Sequence, residues 1–243
     1  MKGLTFSNRC AKEILRDPLN LLFGLGFPVV LLLLLSAIQA NIPVPLFEIQ
    51  TLAPGITVFG LSFMTLFSAT LIAKDRESAF LQRLYATPLR PADYILGYML
   101  PIIPIAMAQS GACYGVAVFL GLSPNINILL ATFATAPISI LYIGLGLLCG
   151  SVFNVKQVGG ICGALLTNLS AWLSGVWFDL DLVGDTFQKI AQLLPFLHAV
   201  EIQRAFIGGN YADALPHLPI LMAYGSLILL AAIFLFLRQM RNQ

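Results

Sequence analysis

YILGYMLPIIPIAMAQSGACYGVAVFLGLSPNINILLATFATAPISILYIGLGLLCGSVFNV, residues Tyr94–Val155, contains no Asp, Glu, Lys or Arg. A helix crosses a bilayer in about 20 apolar residues, so this stretch is about three times too long to cross once. It must fold back on itself. Gly121-Leu-Ser-Pro-Asn-Ile-Asn127 is the place for the return, because Pro and Asn favour a turn. Two membrane helices follow, near 94–120 and 128–150.

Outward from this run the pattern repeats. Charge-free segments cover Pro18–Phe47, with an apolar heart at Leu21–Ile38, and Ile49–Ala73; two more run from about Val158 to Val176 and from about Leu218 to Leu237. The 243 residues are 58% hydrophobic and 10% charged, with a mean hydropathy of +0.89. Soluble chains carry about 25% charged residues. The reading is a single all-α polytopic membrane domain, 1–243, with six spans at about 19–39, 52–73, 94–120, 128–150, 158–176 and 218–237. Met1-Lys2-Gly3-Leu4 leads into a charged stretch rather than a short apolar core, so the first span is expected to be retained.

Six spans place both termini on one side, and the bias of Lys and Arg identifies that side. Lys2, Arg9, Lys12, Arg16, Lys74, Arg76, Arg83, Arg90, Lys156, Arg238 and Arg241 fall on one face, and Lys189 and Arg204 on the other, accounting for all 13. The basic face is expected to be cytoplasmic. A net charge of +2 does not point to nucleic acid. Cys10, Cys113, Cys149 and Cys162 have no metal-like spacing and fall in no outside loop, so no disulfide framework is implied.

The polar segments carry the functional clues. Residues 1–17 plot as an interface helix, with Leu4, Ala11, Ile14 and Leu15 on one face, Arg9, Lys12, Glu13 and Arg16 on the other, and Phe6 off the stripe. The island 74–93 is long enough for a helix of its own. Phe80 and Leu84, like Leu81 and Tyr85, are spaced i,i+4 as an apolar ridge, and Thr87-Pro88 should end the helix. It reads as a docking surface or as a solvated basic loop. The region 177–216 is long for an outside connection and has Pro195 in its middle. A straight crossing would bury Lys189, Glu201 and Arg204, at about 2.5–3.5 kcal/mol for each basic residue. Two short helices that dip into the membrane and return fit better. Asp179, Asp181 and Asp185 at its entrance read as a solvated lip before a metal site.

No Asp, Glu, Lys or Arg is evident inside a span, which argues against a proton- or ion-coupled carrier. Asn168 reads as a helix–helix hydrogen bond or as pathway lining. Gly144, Gly146, Gly150, Gly159, Gly160 and Gly163 permit close helix packing. The chain has no G-x-x-x-x-G-K-[ST] phosphate loop, no H-E-x-x-H and no G-x-S-x-G. His198 and His217 have no accompanying ligand set in the sequence and read as satisfied or solvent-facing side chains.

Several motifs, in order along most of the chain, resemble the ABC-2 type permeases, the membrane subunits of bacterial drug and glycoconjugate exporters. Leu52-Ala-Pro-Gly-Ile-Thr-Val-Phe-Gly60 is similar to the opening of that family's second span. Lys74-Asp-Arg-Glu77, Leu81-Gln-Arg-Leu-Tyr-Ala-Thr-Pro-Leu89 and Tyr94-Ile-Leu-Gly97 resemble its cytoplasmic motif. Leu173-Ser-Gly-Val-Trp-Phe178, then Leu194-Pro-Phe with Arg204, resemble its outer region. Two positions depart: Ser78-Ala79 stands where Gly-Thr is usual, and Leu194 where Asn is common.

The resemblance implies an ABC-2, type V exporter-like fold. It implies a permease that pairs with a second permease subunit, as a homodimer, and with two copies of a cytoplasmic ATP-binding subunit that holds the ATP and Mg; this chain carries no cofactor. Coupling to the ATPase maps to Arg76, Glu77, Phe80 and Arg83, with Asn154 and Lys156 as a smaller contact. A cargo cavity maps to Phe59, Phe63, Phe67, Asn168 and Trp172, and an outer gate to Pro195, His198, Glu201 and Arg204. The expected activity is outward transport of an apolar or amphipathic, drug-like or lipid-like molecule at the bacterial inner membrane. Lipid-linked polysaccharide or peptide is the alternative cargo, and a non-ABC carrier or a membrane scaffold the rival class.

Overall fold

A computed structural model describes residues 2–44, 46–78, 80, 91–178 and 180–241, with the backbone alone for Lys2, Pro91, Ala92 and residues 236–237 and 239–241. Among the described residues the chain is helical with no strand. Helix α1 is Lys2–Leu15. Asp17 then caps α2, Pro18–Gln39, by accepting the Asn20 N–H, and Pro18 sits in the first turn, where a missing N–H leaves nothing unpaired. Within α2, Leu22–Gly26 is a wider, π-type turn. Helix α3 is Ile49–Glu77. Helix α4 is Pro91–Met99 continued by Ile102–Phe119, interrupted at Pro101. Asn125 caps α5, Ile126–Val152. Helix α6 comprises Val155–Gly160, a second π-type stretch Ile161–Leu166, and Thr167–Leu173. Then follow α7, Asp185–Leu193; α8, Pro195–Gly208; α9, Tyr211–Ala214; and α10, His217–Arg241.

Among the described residues five stretches are long and apolar enough to cross a membrane: Pro18–Gln39, Ile49–Glu77, Asp93–Phe119, Ile126–Val152 and Tyr211–Leu235. The chain is a multi-pass membrane protein. The segment expected as the fifth span, 158–176, is helical to Leu173 but is not among those five. One boundary moved substantially. Helix α3 runs to Glu77, past the expected end at 73, because Lys74-Asp-Arg-Glu77 holds no helix breaker and its side chains find partners on neighbouring helix ends.

Helix α3 is the axis of the bundle. Its most apolar window is 89% buried, against 22% for α2 and 17% for the last span. Its closest neighbour is α5. Gly146 and Gly150 lie on the α3 backbone at Thr65 and Ala69, where any Cβ would collide. The approach lets Thr65 Oγ1 donate to the Tyr142 carbonyl (2.8 Å) and Ser68 Oγ to that of Ile143 (3.2 Å). Gly159 and Gly160, expected to pack as well, face open space within this chain.

The ends of α3 and α5 and the starts of α2, α4 and α6 gather with α1 at one end of the bundle, the basic end. The α7–α8 hairpin lies toward the other. Its break is forced: Pro195 has no N–H to continue the ladder, and Leu194 turns to extended geometry (ψ 151°). That orphans the last α7 carbonyls, which are costly to leave unpaired in an apolar setting. His198 Nε2 donates to Gln192 (2.8 Å) and Tyr224 OH to Leu193 (2.8 Å). The expected pair of short helices flanking Pro195 is present.

Candidate functional site

At the basic end, α1 is not the two-faced helix of the sequence reading. Its inward face is Phe6, Ser7, Cys10 and Ile14, all buried. Phe6, expected off the stripe, packs edge-on against Tyr98 (4.9 Å) and Tyr94 (6.0 Å). Leu4 and Leu15, expected on the same face as Ile14, are exposed on a second face, and Lys12 and Arg16 occupy a third. Three faces suit a helix that meets protein, lipid and water at once.

The helix is bolted down through Asp75. That carboxylate is 1% exposed and accepts two bonds from the Arg9 guanidinium, at 2.6 and 2.7 Å, and one from Tyr98 OH at 2.8 Å. Arg9 also pairs with Glu13 (2.7 Å) and lies over the Phe80 ring at 4.2 Å. A bidentate guanidinium and a hydroxyl saturate the buried charge, so α1, α3 and α4 are joined at one point. Burial alone would lower the Arg9 pKa, but the Asp75 hydrogen bond and charge raise it. Burial pushes the Cys10 thiol up to about 12 and raises the Glu13 carboxyl above its ordinary range. The sequence reading placed Asp75 in the island 74–93, a docking surface or a solvated loop, and missed this anchoring role. The available signal was spacing: Ser68, Leu71, Ile72 and Asp75 form one helical face, and the first three are buried.

The residues expected to contact an ATPase divide. Arg76 Nη1 donates to the carbonyls of Gly150 (2.8 Å) and Phe153 (3.2 Å), closing the C-terminus of α5. Glu77 accepts the Val155 N–H (2.9 Å) at the start of α6. Both tie α3 to its neighbours. Asn154 is spent in a capping box with Gln157, while Lys156 is exposed. Arg83 and the ridge partners Leu81, Leu84 and Tyr85 lie outside the described residues.

Between α2, α3 and α6 runs a groove of about 330 Å³, walled by Phe23, Phe27, Phe59, Phe63 and Trp177, with Thr167 and Asn168 on the α6 side. The rings interlock edge to face: Phe59–Phe63 at 6.0 Å, Phe27–Phe63 at 5.8 Å and Phe59–Trp177 at 5.4 Å. Among the described residues no charged side chain lines it. Of the expected cavity residues, Phe59, Phe63 and Asn168 belong to it. Phe67 does not; one turn further along α3, it packs into the space left by Gly24. Trp172 points away and is 48% exposed, and the tryptophan of the groove is Trp177. Both π-type turns flank the groove. A widened turn frees backbone carbonyls, and in α6 Thr167 Oγ1 answers Cys162 (2.9 Å) and Asn168 Nδ2 answers Ala164 (2.8 Å). Asn168 therefore bonds within its own helix while lining the groove.

On the hairpin, His198 is buried, and its Nδ1 lies 2.7 Å from Nδ1 of His217, so the two histidines are partners. With Nε2–H given to a carbonyl, His198 accepts at Nδ1 and His217 donates. Glu201 pairs with Arg204 (2.8 Å). Gln203, which the sequence reading passed over, is fully buried: it accepts from Tyr114 OH (2.7 Å) and donates to the Ala131 carbonyl (3.0 Å) and Thr135 Oγ1 (2.9 Å). Asp181 accepts from Gln188 (2.6 Å), and Asp179 lies outside the described residues. No cluster suited to a metal occurs among the described residues.

The bundle thus carries an aromatic groove along its axial helix, and its helix ends are tied at the basic end. Residues 3–207 match the ABC-2 type transporter family, and the chain belongs to it. It is similar to Nodulation protein J of Bradyrhizobium diazoefficiens, at 26% identity over 231 residues, covering 93% of this chain and 85% of that protein.

Proposed function

We propose that this protein is the permease subunit of an ATP-driven exporter, carrying an apolar or amphipathic molecule outward from the bacterial inner membrane. The observation that carries the proposal is the way the helix ends are fastened at the basic end. Asp75 joins α3 to α1 and α4, while Arg76 and Glu77 join it to α5 and α6. A push there reaches Phe59 and Phe63, which stand on the same helix and wall the groove.

The basic end is then cytoplasmic, as the Lys and Arg bias favours, with both termini there and α6 as the fifth of six spans. Two copies of an ATP-binding subunit dock on that end, against α1, Phe80, Arg83 and the exposed Asn154–Lys156 turn, and supply ATP and Mg. A second permease copy against the exposed α6 face closes the groove into a cavity. The hairpin is re-entrant. Its apex is held by Tyr224, two turns into α10 and so about 10 Å from that helix's start.

An aromatic, uncharged wall suits drug-like or lipid-like cargo. Thr167 and Asn168 in the same wall favour a second cargo, a lipid-linked saccharide or peptide with polar groups to satisfy. Inverted membrane vesicles containing the protein and its ATPase test the reading. ATP-dependent uptake of a fluorescent amphiphile should fall about tenfold in Phe59→Ala/Phe63→Ala, through loss of apolar contact. Equal uptake in the variant would remove the groove from the pathway.

A further inference from the structure

The ties of the α7–α8 hairpin are unevenly distributed. Toward α4, α5 and α10 they include five: the three buried bonds of Gln203 to Tyr114, Ala131 and Thr135, the part-buried contact of His198 with His217, and the exposed bond of Tyr224 to Leu193. Toward the link Ser174–Phe178, which follows α6, the polar tie is Arg204. Its Nη2 donates to the Gly175 carbonyl across 3.3 Å, its Nη1 holds Glu201, and its buried Nε has no partner among the described residues. Gly175 turns the chain with φ +67°, a conformation that favours glycine, and the turn carries Val176 onto Gly55 and Trp177 onto Phe59. The link thus covers the end of the groove away from the basic pole, with Trp177 as its cover.

We propose that Arg204 is a positioning residue that holds Trp177 over the groove through the Gly175 carbonyl, and that this contact is the seam that parts when cargo leaves. The seam is the weakest joint of the hairpin by geometry. It is one long bond, from a guanidinium whose third nitrogen has no partner among the described residues, facing a body held by five shorter ones. Parting there moves the Gly175–Trp177 turn and leaves the hairpin on α4, α5 and α10. The orphaned Nε finds a partner once Arg204 leaves Gly175. This inference rests on the groove being the cargo path, but its test needs neither ATPase nor cargo.

The chain has two tryptophans, so Trp172→Phe leaves Trp177 as the sole reporter. In detergent, acrylamide should quench Trp177 poorly in that background. In Arg204→Met, which keeps the packing stem and removes every donor, the quenching constant should rise about fivefold, as expected for losing a bond from a charged donor. Arg204→Lys, whose single ammonium cannot hold Glu201 and Gly175 together, should move the same way by about twofold. Tyr224→Phe unties the apex from α10 and should leave Trp177 as shielded as before. If Arg204→Met does not purify folded, Arg204→Lys decides alone. Unchanged quenching in the folded Arg204 variants, or an equal rise in Tyr224→Phe, would overturn the proposal.

Discussion

Asp75 shows what one side chain does here. A carboxylate buried to 1% exposure survives only because Arg9 and Tyr98 answer both of its oxygens. Asp75→Asn leaves half-buried Arg9 with Glu13 alone as counter-charge and should cost about 3 kcal/mol, the low end for a broken buried pair, because Arg9 is one-third exposed and keeps that second partner. Thermal unfolding in detergent measures it. Cys10 gives a second readout, since its buried thiol, held up to about 12, should resist maleimide at neutral pH in the native protein. In a background lacking Cys113, Cys149 and Cys162, Asp75→Asn should make Cys10 react. A variant as stable and as unreactive as its parent would mean that α1 is held by packing alone. Phe59, Phe63 and Asn168 were named as cavity residues through the family resemblance, which also named Phe67 and Trp172, and those two lie outside the groove. Trp177 and Gln203 were not legible, because their roles depend on a turn and a hairpin that bring distant segments together.

At the scale of elements, the sequence separates what local chemistry decides from what contact decides. The turn after α4 and the break at Pro195 follow from Pro and Asn at fixed places and were legible, whereas the caps at Asp17, Asn125 and Asn154 were not read from the sequence. Nor was the inward face of α1. Two apolar faces need a partner to say which is buried, and Tyr94, Tyr98 and Asp75 supply it across long sequence distances. The glycines divide in the same way. Gly146 and Gly150 are fixed by the α3 backbone, whereas Gly159 and Gly160 stand open. Gly146→Val should therefore force α3 and α5 apart, breaking the Thr65 and Ser68 bonds, and abolish a monodisperse peak on size-exclusion chromatography. Gly159→Val should leave the monomer's folding intact. A folded Gly146→Val protein with unchanged thermal stability would contradict the packing described for the core.

On the scale of the whole molecule, charge and shape point the same way. Eleven of the basic residues were assigned to one face from sequence alone, and the joints at Asp75, Arg76 and Glu77 gather the helix ends on that face. The groove runs beside the helix on which all three joints stand. Cargo was not legible, because aromatic walls accept many molecules, and membership of a family does not assign one. The central claim is that an ATP-hydrolysing partner drives this chain from its basic end. Purification of the tagged protein from its native membrane in mild detergent, followed by mass spectrometry and an ATP-hydrolysis assay on the eluate, tests it most directly. The account predicts a phosphate-loop ATPase subunit in equal amount to the permease, with hydrolysis that follows the complex through size exclusion. A folded, monodisperse protein that consistently elutes with no such subunit and no hydrolysis would contradict it.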